Sequence, residues 1–164
     1  MWQRKLVFHV RCMIVPMLRW TAWCLVALVL VVAGPAAADN DREFMAQLVA
    51  RTFFRSVLEG GGESVLPLCA PRVNLDGEWV KGRAALTPRL RQMGQRAREQ
   101  GLQLRKVVVV SYREAVRRYG PPPARLRGAV GPGKLVALAR FNLRGAVAIL
   151  GRVGAFWKVV AVTD

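Results

Sequence analysis

Between Thr21 and Gly34 the chain reads TAWCLVALVLVVAG, an uncharged apolar run followed by Pro35, by Ala36-Ala37-Ala38, and then by polar Asp39-Asn40-Asp41. Arg4, Lys5, Arg11 and Arg19 are the only formal charges before Asp39, and every acidic residue lies at or after it. A basic flank, a short apolar stretch and small residues ahead of a polar start form the layout of a signal peptide. The run falls short of the ~20 apolar residues that a membrane span needs. Cleavage after Ala38 is therefore expected, and with it export across the cytoplasmic membrane to the periplasm or beyond. An uncleaved anchor is the alternative, because Met13 to Leu18 adds apolar length if Arg19 is tolerated near the interface. Met17 would open a leader of more ordinary length. Cys24 sits inside the run rather than at its end, which argues against a lipoprotein anchor. Either way the fold has to come from residues 39–164, the size of a single domain.

Of the three cysteines, Cys12 and Cys24 fall in the leader and Cys69 alone falls in the domain. The domain can then form no internal disulfide, and cystine frameworks and zinc ribbons are excluded.

Asn40 or Asp41 is placed to cap a helix with apolar positions at Met45, Leu48, Val49, Thr52, Phe53 and Val57, closed by Gly60-Gly61-Gly62. A short helical segment from Ser64 to Cys69 follows. Arg72 to Leu75 and Glu78 to Lys81 then read as a hairpin turning through Asp76-Gly77, a strong turn pair. Leu86, Leu90, Met93 and Ala97 form a second helical stripe, with Thr87-Pro88 suited to the cap and first turn and Gly101 to the close. Arg89, Arg91, Arg96 and Arg98 are expected on the other face of that helix. From Leu104 the pattern turns to strand: Leu104 to Val116, with Val107 to Val110 as a buried central stretch; Lys134 to Leu143; and a hairpin of Val147 to Arg152 with Phe156 to Val162. Ala137, Ala139, Phe141 and Leu143 share one face of the second of these strands, and Val136, Leu138, Arg140 and Asn142 the other. Helices followed by a run of strands predict an α+β fold, with a curved antiparallel sheet wrapped around the N-terminal helices.

Three features in order carry a resemblance: the opening helix with its Gly/Glu turn; residues 68–86, LCAPRVNLDGEWVKGRAAL, with a strand, a turn and a Gly82-Arg83 helix entry; and the final GAFWKVVAVTD of residues 154–164. Together they resemble the nuclear-transport-factor-2-like superfamily, also called cystatin-like or ketosteroid-isomerase-type, over residues 41–164. The resemblance implies a cone-shaped fold with a pocket between sheet and helices, a small apolar or amphipathic ligand there, and a homodimer formed through the sheet. It implies no particular chemistry.

Enzymes of that superfamily set acids, histidines or tyrosines in the cone. The only histidine is His9, in the leader, so the domain has no imidazole for proton transfer near neutral pH. An isomerase needs a carboxylate base and donors at a developing oxyanion. Asp76 is accounted for by its turn and Glu78 by the exposed side of the hairpin. Tyr112 and Glu114 share one face of a strand as read here, as do Arg140 and Asn142, and the four together form a candidate set that either meets in the cone or faces water. Tyr112 and Glu114 are the catalytic candidates. Trp157 joins the four as a ligand-binding candidate. Two acids around an arginine, as in an epoxide hydrolase, are not found. No cofactor and no metal site are expected.

Gly128-Ala129-Val130-Gly131-Pro132-Gly133-Lys134-Leu135 has the glycine and lysine spacing of a phosphate-binding loop, but Leu135 stands where Ser or Thr would bind magnesium. A strand rather than a helix is expected to follow, so the stretch reads as a flexible connection. Cys69, with no histidine to activate it, reads as a small buried apolar residue. Setting aside the four leader cations leaves 22 basic residues against 10 acidic, a net +12 on the domain. A field of that sign favours anionic partners. Arg89, Arg91, Arg96, Arg98, Arg105 and Lys106 form one sequence cluster, and Arg113, Arg117, Arg118, Arg125 and Arg127 a second. Anionic lipid headgroups or wall polymers at the envelope surface are the matching partners. Nucleic acid is not expected, since no aromatic platform is interleaved with the arginines. The leading expectation is an exported, non-catalytic protein that binds a small apolar or amphipathic molecule or a partner protein, with a small isomerase or hydrolase and an arginine-held envelope module as alternatives.

Overall fold

The computed structural model describes residues 35–163, and the compact unit within it starts at Arg42. Residues 1–34, which carry the apolar run on which the signal-peptide or anchor expectation rests, lie outside the described residues.

The first helix, α1, runs Pro35–Glu59 and starts earlier than the Asn40 or Asp41 cap expected for it. Proline suits the first helical position, where its missing N–H is not needed, and Ala36 to Ala38 are strong helix formers. Its buried face also differs from the expected stripe. Ala46, Ala50, Phe53, Phe54 and Val57 are buried, while Met45 and Leu48 are 50% and 51% exposed. The alanines let the helix lie close to its neighbours, so the larger Met45 and Leu48 fall on the solvent side.

A short 3-10 helix, Gly62–Leu68, leads into β1 (Cys69–Leu75) and β2 (Glu78–Lys81). The hairpin is the expected one, with Leu75 paired to Glu78 across Asp76-Gly77. Both turn residues take positive φ, 53° at Asp76 and 99° at Gly77, as a tight hairpin of this twist requires. Helix α2 follows at Arg83–Glu99, burying Leu86, Leu90, Gly94 and Ala97. Its N-cap is Gly82, which puts Thr87 and Pro88 inside the helix rather than at its start. The Thr87 hydroxyl donates to the Arg83 carbonyl at 2.8 Å. The C-terminus closes as expected: Gly101 sits at φ 61°, its N–H bonds the Arg98 carbonyl, and the Leu102 N–H bonds that of Ala97.

β3 (Leu104–Ser111), β4 (Leu135–Phe141), β5 (Gly145–Val153) and β6 (Phe156–Thr163) complete a six-stranded sheet of order β2-β1-β6-β5-β4-β3. The sheet is mixed rather than wholly antiparallel, because the last strand, β6, enters between β5 and β1 and runs parallel to β1. Two further expectations are corrected around the valines. Among the described residues β3 is an edge strand, paired only to β4, and it stops at Ser111. Tyr112–Tyr119 is a helix, α3, whose N-cap Ser111 accepts a hydrogen bond from the Glu114 N–H. Valine on both faces of β3 reflects a sheet covered on both sides rather than a central position.

One core joins α1, α2 and a sheet face through Phe53, Val73, Leu86, Leu90, Ala137, Ala139, Leu150 and Val159. The opposite face packs Val136, Ile149 and Ala161 under Ala115 of α3, Leu126 of a 3-10 turn (Ala124–Leu126) and Ala129. The sheet thus carries elements of this chain on both faces. At Gly94 the helices α1 and α2 touch: a Cβ there would run into the Val57 carbonyl oxygen, so the crossing requires glycine. Among the described residues no helix is long and apolar enough to cross a membrane.

Candidate functional site

The hairpin turn, α2 and the β4–β5 connection surround a cavity of about 330 Å³ on the helix side of the sheet. That volume lies at the lower end of the range for small-molecule sites, ~300–1,000 Å³. Its floor is apolar, with Phe54 and Val57 from α1, Met93 from α2, Leu102, and Phe141 from β4 among its members. Phe54 and Phe141 meet edge to face at 6.0 Å, which fixes part of that floor.

The rim is charged. Asp76, Glu78, Arg89, Gln92, Arg96 and Arg144 line it. Both carboxylates are held by neighbours. Glu78 accepts two hydrogen bonds from the Arg89 guanidinium, at 3.0 and 3.1 Å. Asp76 accepts the Thr163 hydroxyl at 2.7 Å and lies 3.8 Å from the Arg125 guanidinium. The turn is braced from beneath by Asn74, 2% exposed, whose side chain accepts the Gly77 N–H at 2.7 Å and donates to the Arg125 carbonyl at 3.2 Å. At the other end of the mouth, Asn142 clamps the β4–β5 connection to the end of α2. Its amide donates to the Gly101 carbonyl at 3.0 Å and accepts the Gln103 N–H at 2.9 Å. The clamp brings Arg144 to the same cavity as Arg96, which lies in the last turn of α2.

The four polar candidates from the strands do not converge. The Tyr112 N–H bonds the Lys134 carbonyl at one end of β4, while Arg140 pairs with Lys106 and Gly145 at the other end. Six residues of strand separate the two ends, about 20 Å at ~3.3 Å per residue. Tyr112 packs on the face opposite the cavity, with Val136 and Ile149. Glu114 is held within its own helix by Arg117 and Arg118, at 3.1 and 2.6 Å. Arg140 is exposed, and Asn142 makes the clamp just described. The reading of residues 112–116 as strand is therefore corrected, and the four candidates do not meet. Trp157 is half-buried against the main core, opposite Arg152 on β5, and does not line the cavity.

The arginines of α2 also separate. Arg89 and Arg96 line the cavity, whereas the Arg91 side chain passes beside Gly62 and Arg98 donates to the Leu58 carbonyl at 3.2 Å. Two residues turn a helix by about 200°, so the two pairs flank the buried stripe instead of forming one solvated face. Arg105 and Lys106 are exposed on the edge strand.

Cys69 is buried, and that burial pushes its thiol up from 9.0 to about 12, against a smaller opposing pull from Lys158. A thiol so protonated is a packing residue, not a nucleophile. The glycine-rich stretch before Leu135 runs into β4, with no helix behind it.

Sequence reasoning missed the cavity-lining roles of Phe54, Leu102 and Arg144. Met93 sits on the stripe read from the sequence, but a stripe does not reveal that one of its members fronts a void. No family model and no curated protein matches the chain.

Proposed function

We propose that this is an exported, non-catalytic binding protein whose cavity beneath α2 holds a small apolar or amphipathic molecule, on a domain of the nuclear-transport-factor-2-like type. The observation that carries the reading is the apolar floor of a cavity of about 330 Å³ enclosed by helices on one side and sheet on the other. The two acids at its rim support a binding role over a catalytic one. Asp76 is committed to the turn and to Thr163, and Glu78 to Arg89. A general base must instead reach the proton it abstracts. The apolar run ahead of Asp39 supports export.

The test is extraction of the purified protein with organic solvent and mass spectrometry of the extract, for the native chain and for Met93→Trp. The native chain is expected to yield a stoichiometric small molecule, and the variant, whose indole fills the cavity, to yield none. Identical extracts from the two proteins would refute the reading.

A second reading is attachment to anionic envelope surfaces, favoured by the net +12 of residues 39–164 and the exposed Arg105 and Lys106. It predicts sedimentation with phosphatidylglycerol vesicles that fades as salt is raised. Binding indifferent to salt would count against it.

A further inference from the structure

The cavity has two unlike ends. At the hairpin end, Asp76 and Glu78 each sit beside a guanidinium, Arg125 at 3.8 Å and Arg89 at 3.0 Å. At the α2 end, Arg96 has no side-chain hydrogen bond or ion pair among the described residues. The Asn142 clamp carries Arg144 to the same cavity. The lining holds three guanidiniums and two carboxylates, and Arg125 beside Asp76 adds a fourth guanidinium next to it. Arg96 lies where the apolar floor of Met93, Ala97, Leu102 and Phe141 meets water. A neutral apolar guest leaves that cation solvated and gains only burial. A guest with an anionic head adds a charge-assisted hydrogen bond to the same burial. A cationic head would meet Arg96 there and be repelled.

We infer that the ligand of this cavity is an amphiphile with a carboxylate or comparable anionic head, its head on Arg96 and its apolar body on the Phe54, Met93, Leu102 and Phe141 floor. The inference rests on the binding reading above and specifies the class of ligand. Arg96 then acts as the residue that selects head-group charge, and Arg144 adds field at the same end.

Calorimetric titration of the full chain with decanoate and with decanol tests it. Decanoate is expected to bind more tightly than decanol. Arg96→Ala is expected to weaken decanoate about tenfold, the effect of losing one charged hydrogen bond at an exposed mouth, and to leave decanol unchanged. Arg96→Lys should restore part of the loss. Arg91→Ala removes the same charge from the same helix away from the cavity, and it should leave both affinities unchanged. Met93→Trp should abolish both. Equal affinities for decanoate and decanol, both lost in Met93→Trp and neither altered by Arg96→Ala, would overturn the head-group inference while leaving the cavity as the binding site. An equal loss of decanoate affinity in Arg91→Ala and Arg96→Ala would also overturn it, by tracing the preference to the overall field. Binding of both probes that survives Met93→Trp would instead overturn the cavity reading itself.

Discussion

The two faces of the sheet are built from the same strands but closed in different ways. On one face the cover is short and small: Ala115, Leu126 and Ala129 seat directly on Val136, Ile149 and Ala161. On the other the cover is two long helices that cross at Gly94, and beyond that crossing α2 spans from the hairpin turn to the β4–β5 connection. Small side chains brought down by a loop-rich segment can fill a face completely. A rigid helix fixed at one crossing cannot follow the sheet along its whole length, and what it fails to fill becomes a cavity. The cavity therefore belongs to the helix-covered face, and the other face is closed by packing.

That contrast can be broken first by truncation. Leu126→Ala, on the closed face, should cost about 2–5 kcal/mol in denaturant unfolding, because a fully buried leucine leaves a hole that its neighbours cannot fill. Met93→Ala, at the cavity, should cost clearly less, since its side chain already fronts open space. Equal costs would erase the distinction between the faces.

Cys69 gives the next largest effect. Its folded thiol, at about 12, lies above the ordinary 9.0, so between those pH values the unfolded chain releases a proton that the native chain keeps. Stability is then fully present below pH 9 and falls as pH rises toward 12, by up to about 4 kcal/mol. Urea midpoints across that range should decline in the native chain and decline less in Cys69→Ala. A parallel decline in both would show that the thiol is not the cause.

Gly94→Ala should cost about 1–3 kcal/mol, because the added methyl meets the Val57 carbonyl and pushes the helices apart. A helix-stabilising outcome, as expected for Gly→Ala at an open helical site, would show that the crossing is looser than described. The smallest effect is at the rim. Glu78→Gln breaks an exposed ion pair with Arg89 and should change stability by less than about 1 kcal/mol. A larger loss would mean that the pair holds the hairpin turn to α2.

The turn-bound parts of this fold are legible in the sequence, and those decided by packing between elements are not. Asp76-Gly77 and Gly101 specify local backbone, and the structure has the hairpin and the helix end they predict. The four valines of β3 marked a strand but not its edge position, because a strand buried on both faces reads alike at the centre and at an edge. Tyr112 to Val116 continued the strand pattern, yet Ser111 caps a helix there, a signal as readable as the Asp-Gly turn. Continued as strand, Tyr112 and Glu114 would still share the face of Val110, opposite the cavity-side Val107 and Val109. The resemblance implied a pocket between sheet and helices, but the place and lining of this cavity were not legible. They depend on where α2 crosses α1, and the one trace of that crossing in the sequence is a glycine, Gly94, in the middle of a good helix.

The most direct test of the proposed binding face is methyl-resolved NMR during titration of the protein with decanoate. The account predicts shifts at Val57, Met93 and Leu102 and none at Leu126 and Ile149 across the sheet. Shifts centred on Leu126 and Ile149, or no shifts at Met93 and Leu102 at saturation, would contradict it.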